Sequence, residues 1–248
     1  RTKAQKLAAR LLLVPGTYVP DETNTGLIDP GALVDQPDNF TYTGAFGVIV
    51  IENRRFLGYV FVRGGWARFR NCLMAGPLNP TMETVQARYA ATHDVVFEDC
   101  EFSPRSTTDR CGNITGQGYT MIRCLIRNGV DGVTACPADG LPDANVHLVG
   151  CLIDNMAYFK PSTTHSDGQT HSDPVVIIGA NVTINGCCVR GNVNPDVSSG
   201  VAPGQTAMSA IMFNQRTVAG YVQRPARVRI TNSWFAGGIV CFNLIGIP

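Results

Sequence analysis

The chain has no long run of like charge, no apolar stretch of membrane-spanning length and no Cys-x-x-Cys pair. Charged residues are only 16% of the 248, and the formal net charge is +1. The basic face that an electrostatic nucleic-acid binder needs is therefore missing, and no nucleic-acid partner is expected. A bilayer-spanning helix takes ~20 apolar residues, so no membrane insertion is expected. Without a Cys-x-x-Cys pair a structural zinc site is not expected, and the residues name no cofactor. Strongly helical windows are few. With 26 Gly and 15 Pro, that poverty points to an all-β chain with many turns. The length suffices to bury a substantial core, in one elongated domain or two. The nine cysteines are odd in number and leave at least one unpaired.

What is present begins with one good helix candidate, Thr2 to Leu13. Leu7, Leu11 and Leu12 form its stripe, and Lys3, Lys6 and Arg10 lie away from it. It reads as a short amphipathic cap on one end of a β structure. The basic stretch Arg1 to Arg10 precedes a short apolar run, Leu11 to Val14. No small-residue cleavage site follows, so it does not read as a signal peptide. Residues 22–43 read as a loop rich in Pro, Asp and Gly, and strand-like sequence starts at Phe46. The expected division is an N-terminal helix and capping loop over 1–45 and a β unit over 46–248. Sequons begin at Asn39, Asn113 and Asn181; the last falls inside a strand-like segment and reads as chance.

From there a unit recurs: apolar, any, apolar, any, a bend residue, Cys, any, apolar. It occupies Ala67 to Met74, Val95 to Phe102, Tyr119 to Ile126, Val146 to Ile153 and Val182 to Val189. A sixth copy, Val228 to Phe235, has Ser233 in place of Cys. Anchors at 72, 100, 124, 151, 187 and 233 repeat at intervals that start in the twenties and then widen, the signature of stacked supersecondary units. Period-two alternation excludes helical repeats, and the Leu/Asn consensus of leucine-rich repeats is missing. A parallel β-helix fits: short strands, a tight bend, and a small residue stacked inside each coil. Cys72, Cys100, Cys124, Cys151 and Cys187 are then an internal ladder of reduced thiols, spaced about 4.8 Å like neighbouring strands. The wide gaps after Ile153 and Val189 must project as loops, and insertions in a solenoid tend to share one side, often the binding side.

The densest polar chemistry precedes the fifth copy. Read as an extended strand, 165–173 places His165, Asp167, Gln169, His171 and Asp173 on one face. A glycosidase needs two carboxylates about 5–9.5 Å apart. Asp167 and Asp173 would be roughly 20 Å apart in a strand, unless the chain turns at Gly168. A partner from a neighbouring coil is the alternative, with Asp131, Asp139 and Asp154 as candidates. A lyase would use His165 or His171 as base, with Arg123, Arg127 or Arg190 neutralising a substrate carboxylate. A metal could sit at His165/Asp167 or His171/Asp173, but two ligands are too few and no metal is assigned. Tyr158, Phe159 and Trp234 could stack on sugars. Against these stands loop anchoring, since Ser, Thr, Asp and Gln at bends bond to loop backbone. The expected catalytic residues are His165, Asp167 and His171; Gln169, Asp173, Arg123, Arg127 and Tyr158 are the expected binding residues.

The segments VIENRRFLGYVFVRG, ARFRNC, THSDGQTHSD, ANVTINGC, SAIMF and ITNSWFAGG, in that order over residues 46–245, resemble right-handed parallel β-helix proteins of the pectate-lyase-like superfamily. Tail-associated β-helix proteins of actinobacterial phages and related bacterial secreted proteins are the nearest likeness. A His-x-Asp-Gly-(x)-Gln-like element of that group matches His165, Asp167, Gly168 and Gln169. Here Gln follows Gly directly, and a second His-Ser-Asp stands at 171–173. The resemblance implies the right-handed winding and a virion tail protein, a spike or minor tail protein. It would contact host-surface polysaccharide and other tail proteins, as a homo-oligomer such as a trimer. A secreted polysaccharide lyase or glycoside hydrolase is the alternative, and a non-catalytic structural module the third.

Overall fold

Alternation makes each segment a strand. Ala67–Arg70 and Val95–Glu98 both bury every other residue, as a period-two side-chain pattern requires. The computed structural model describes residues 28, 30–44, 47–105, 108–218 and 220–245. The helix expected over Thr2 to Leu13 lies outside the described residues. Within them the chain winds through three sheets in a fixed order. Val34–Gln36 opens the first sheet, Phe40–Tyr42 the second and Ile49–Glu52 the third. Arg54–Phe56 then returns to the first sheet and pairs in parallel with Val34–Gln36. Repetition builds eight strands in each of the first two sheets and seven in the third. The fold is a right-handed parallel β-helix. Two of its strands lie in the 22–43 stretch that reads as loop. Their ladder partners in the next coil, rather than local propensity, make them strands.

The corner from the third sheet to the first explains the repeat. Its bend residue is Asn53, Asn71, Asp99, Arg123, Gly150, Gly186 or Asn232, each with φ between 50° and 64°. Asn, Asp and Gly reach this left-handed region at least cost, which is why they fill the template. The bend side chains also stack, Asn71 Nδ2 donating to Asn53 Oδ1 at 2.6 Å and Arg123 Nε to Asp99 Oδ1 at 2.8 Å. Asn53 belongs to a seventh copy, Ile49 to Phe56. Arg54 takes the cysteine position there, so a template keyed on Cys passes over it.

Immediately after the bend come Cys72, Cys100, Cys124, Cys151 and Cys187, all buried. Each Sγ lies 3.3–3.6 Å from the carbonyl oxygen two residues earlier. The first four also face a carbonyl of the coil beneath at 3.3–3.5 Å. The thiols therefore act as weak donors to corner carbonyls as well as small fillers. Ser233 shows the same role, its Oγ donating to Thr231 O at 2.8 Å. All nine thiols are free. Inside the tube an aromatic row runs along the axis, with Phe69 stacked on Phe97 at 4.9 Å and Phe56 meeting Phe69 edge-on at 6.1 Å.

The corner stays two residues long in every later coil, whereas connections from first to second sheet vary widely, from the short 57–59, 127–130 and 238–239 to the long 154–172. The long connections on that side are 75–84, 103–113, 154–172 and 192–208. The insertions thus lie where solenoid logic puts them, on one side. The exception is the hairpin Arg216–Val218/Tyr221–Gln223, between the second and third sheets.

Candidate functional site

The loop 154–172 folds on itself before it can present anything. Thr170 N donates to Phe159 O at 3.0 Å, and Thr170 Oγ1 accepts from Phe159 N at 2.9 Å. Ser162 N bonds Gly168 O at 2.8 Å, and Gly168 N bonds His165 O at 3.0 Å. Gly168 has φ 73°, so 165–168 is a tight turn. This corrects the extended strand read from the sequence. The five polar residues do not share a strand face, because the Asp-Gly turn signal prevails over alternation. The strand begins only at Asp173.

The turn brings three of them together. His171 Nε2 lies 2.7 Å from Asp167 Oδ2, and the His165 and His171 rings are 4.8 Å apart. Gln169 bonds Asp167 through its backbone N at 3.3 Å, and its Oε1 accepts from Tyr158 OH at 2.9 Å. His165 Nδ1 meets Thr164 Oγ1 at 2.9 Å. The cluster is half-exposed at the loop tip and braced from both sides. From two coils below, past the short 127–130 link, Asp109 Oδ2 accepts from Thr163 N at 2.7 Å, Thr163 Oγ1 at 3.0 Å and Ser162 Oγ at 3.1 Å. From the coil above, Ser198 Oγ accepts from Tyr158 N at 2.9 Å, and Ser199 N donates to Tyr158 O at 2.9 Å.

The hydrogen bond from His171 holds the Asp167 carboxyl down to about 2. Partial desolvation and the neighbouring His171 lower the pKa of His165, which keeps that imidazole neutral near pH 7. At Asp109 partial desolvation works upward but is outweighed by the bonds from Thr163, Ser162 and Thr164, so its carboxyl also sits below the usual range. Desolvation, with Asp167 nearby, raises Tyr158.

The remaining expected site residues lie elsewhere. Asp173 is 1% exposed in the second sheet, accepting from Ser209 N at 3.0 Å and from Ser209 Oγ. Its N–H donates to Asp131 Oδ1 at 3.3 Å, so the two acids adjoin at an inner corner. Desolvation lifts Asp173 to about 6, and desolvation together with Asp173 pushes Asp131 well up. Arg123 is committed to Asp99 and to Glu98 at 2.7 Å, and Arg127 to Glu101 at 2.7 Å. Arg190 lies 3.2 Å from Asp154, and Asp139 pairs with Arg88 at 2.8 Å.

This arrangement limits the chemistry. Acid–base glycoside hydrolysis needs one carboxyl protonated and one ionised. Asp167 at the tip and Asp109, which braces the loop, are both held below the usual carboxylate range, whereas the raised Asp154 and Asp173 are buried and the raised Asp131 adjoins Asp173. A lyase has a base in His165, but Arg123 and Arg127 are held by Glu98, Asp99 and Glu101, and Arg190 meets the loop at the buried Asp154, its first residue. Among the described residues no three His, Cys, Asp or Glu side chains are grouped to hold a metal ion. What the loop offers is a fixed set of hydrogen-bonding groups around two imidazoles. Asp109, Ser162, Thr164 and Ser198 complete it, and sequence reasoning missed them. Asp109 reaches the loop from two coils earlier, 53 positions before Ser162, and nothing in spacing announces that. The chain matches no protein-family model and no curated protein.

Proposed function

We propose that the protein is a virion tail component, a β-helix spike or minor tail protein whose 154–172 loop contacts host-surface polysaccharide without cleaving it. The observation that carries the contact is the brace. The connections 103–113, 154–172 and 192–208 bond to one another and fix an imidazole pair, a carboxylate and an amide at the tip, the amide held by the buried Tyr158. A rigid scaffold presenting pre-arranged polar groups loses little entropy on binding, which suits a repetitive hydroxyl-rich ligand. The tail setting, other tail proteins as partners and a trimeric assembly rest on the likeness to phage β-helix proteins. Retention on immobilised host-wall polysaccharide tests the contact. His165→Ala, Asp167→Ala and Asp109→Ala should each lose at least half of it, and unchanged retention in all three would overturn the reading.

A polysaccharide lyase is the second reading, favoured by one observation: the His165 ring, its pKa lowered by partial desolvation, stands beside the His171–Asp167 pair. In that case wild type would release unsaturated products from the same polysaccharide, and His165→Ala would abolish release. Binding without product supports the first reading.

A further inference from the structure

On the other side of the tube, the hairpin Arg216–Val218/Tyr221–Gln223 stands off the coil between the second and third sheets. It is held rigidly. Gln223, fully buried, donates through Nε2 to Ala138 O at 2.9 Å and Leu141 O at 3.1 Å. Arg216 Nη2 bonds Asp139 at 3.2 Å. Beneath the hairpin lies a recess of about 540 Å³ lined by Pro142, Asp143, Tyr221, Val222, Arg224 and Arg227. That volume falls within the ~300–1,000 Å³ typical of small-ligand sites. Tyr221 and Val222 are exposed although both are apolar-faced, so the recess offers a surface on which a sugar ring can stack.

The charges are unequal. Arg227 Nη2 pairs with Asp143 Oδ1 at 2.5 Å. Arg224 is exposed and has no ion-pair or hydrogen-bond partner among the described residues. The recess therefore carries one uncompensated positive charge beside an aromatic wall. We infer that it binds a glycan unit bearing a single negative charge, a carboxylate or a phosphodiester. A guanidinium matches either anion with paired donors. A neutral sugar would leave Arg224 unanswered, and a dianion would exceed the charge available. This site is separate from the 154–172 loop and does not depend on the role proposed there.

Amide NMR titration of the whole chain tests it, with methyl β-glucuronide, a phosphodiester-linked glycerol glucoside and neutral methyl β-glucoside as probes. One or both anionic probes should shift the amides of Tyr221, Val222 and Ala226 saturably, at least tenfold more tightly than the neutral glycoside. The tighter of the two identifies the source of the charge. Arg224→Ala should weaken anion binding at least tenfold. Asp143→Asn frees Arg227 and should tighten it several-fold, a gain that damage to the fold cannot mimic. His165→Ala should change nothing, which separates this recess from the loop. The inference is overturned if the neutral glycoside binds as tightly, if Asp143→Asn weakens anion binding, or if no probe shifts these amides saturably.

Discussion

Arg123 occupies a backbone conformation that disfavours every residue with a Cβ by ~1–2 kcal/mol, and its ion pairs with Asp99 and Glu98 compensate. Removing the side chain separates the two effects. Arg123→Ala and Arg123→Gly lose the same partners, but only alanine keeps the strain. In chemical denaturation the glycine variant should be the more stable by about 1 kcal/mol. An alanine variant as stable as glycine would refute strain at this corner. The cysteine next to it fills a slot with two carbonyls in reach, which a hydroxyl can also use. Cys124→Ser should therefore cost less than ~1.5 kcal/mol, whereas Cys124→Leu overpacks the ladder and should cost ~2–3 kcal/mol or more. Equal losses would mean that thiol hydrogen bonding contributes nothing. Asp173 gives a pH signature. Its folded pKa of about 6 lies above the ~3.9 of a free carboxyl, so the folded state binds its proton more tightly. That contribution is fully present below pH ~4 and is lost as pH rises through 6. Asp131, Ser209 and His171 are the groups facing it. The stability of wild type minus that of Asp173→Asn should fall by about 2–3 kcal/mol from pH 4 to 7.5. A flat difference would place Asp173 in water.

The loop 154–172 owes its shape to one turn and one anchor. A Cβ at Gly168 would meet nothing within 4 Å, so Gly168→Ala tests backbone strain alone. It should cost about 1 kcal/mol and loosen the His165–His171 contact, read as faster amide exchange over 162–168. Asp109→Ala removes three bonds and should speed exchange in the same segment at least tenfold. Strand amides such as those of Val133–Ala135 should be unaffected, because they are held by their own ladder. Exchange unchanged in the loop would mean that Asp109 anchors nothing. The sequence carried the turn signal, Asp167-Gly168, but period-two spacing on both sides of it suggested a continuous strand. That misreading assigned Asp173 to the site, whereas the strand starting there turns it inward. The brace was illegible for another reason: partners such as Asp109 and Ser198 are brought to the loop by coil register, which depends on the lengths of every intervening connection.

The stack itself was legible because each coil repeats the same physical problem. Strand alternation fixes which residues point inward, the left-handed bend selects Asn, Asp or Gly, and the space behind it admits only a small side chain. Where a coil solves the problem differently, as with Arg54 in the cysteine slot, the pattern is lost to the eye although the geometry persists. The same rigidity confines variation to the connections, so function is sought there, on the loop-bearing side and under the opposite hairpin. Hydrogen exchange across the whole chain, with and without host-wall polysaccharide, separates scaffold from contact surface. The expected result is new protection at 158–171 and at the adjoining 198–199, with strand amides unchanged. Protection absent from that loop, in a preparation that retains the polysaccharide, would contradict the role given to it.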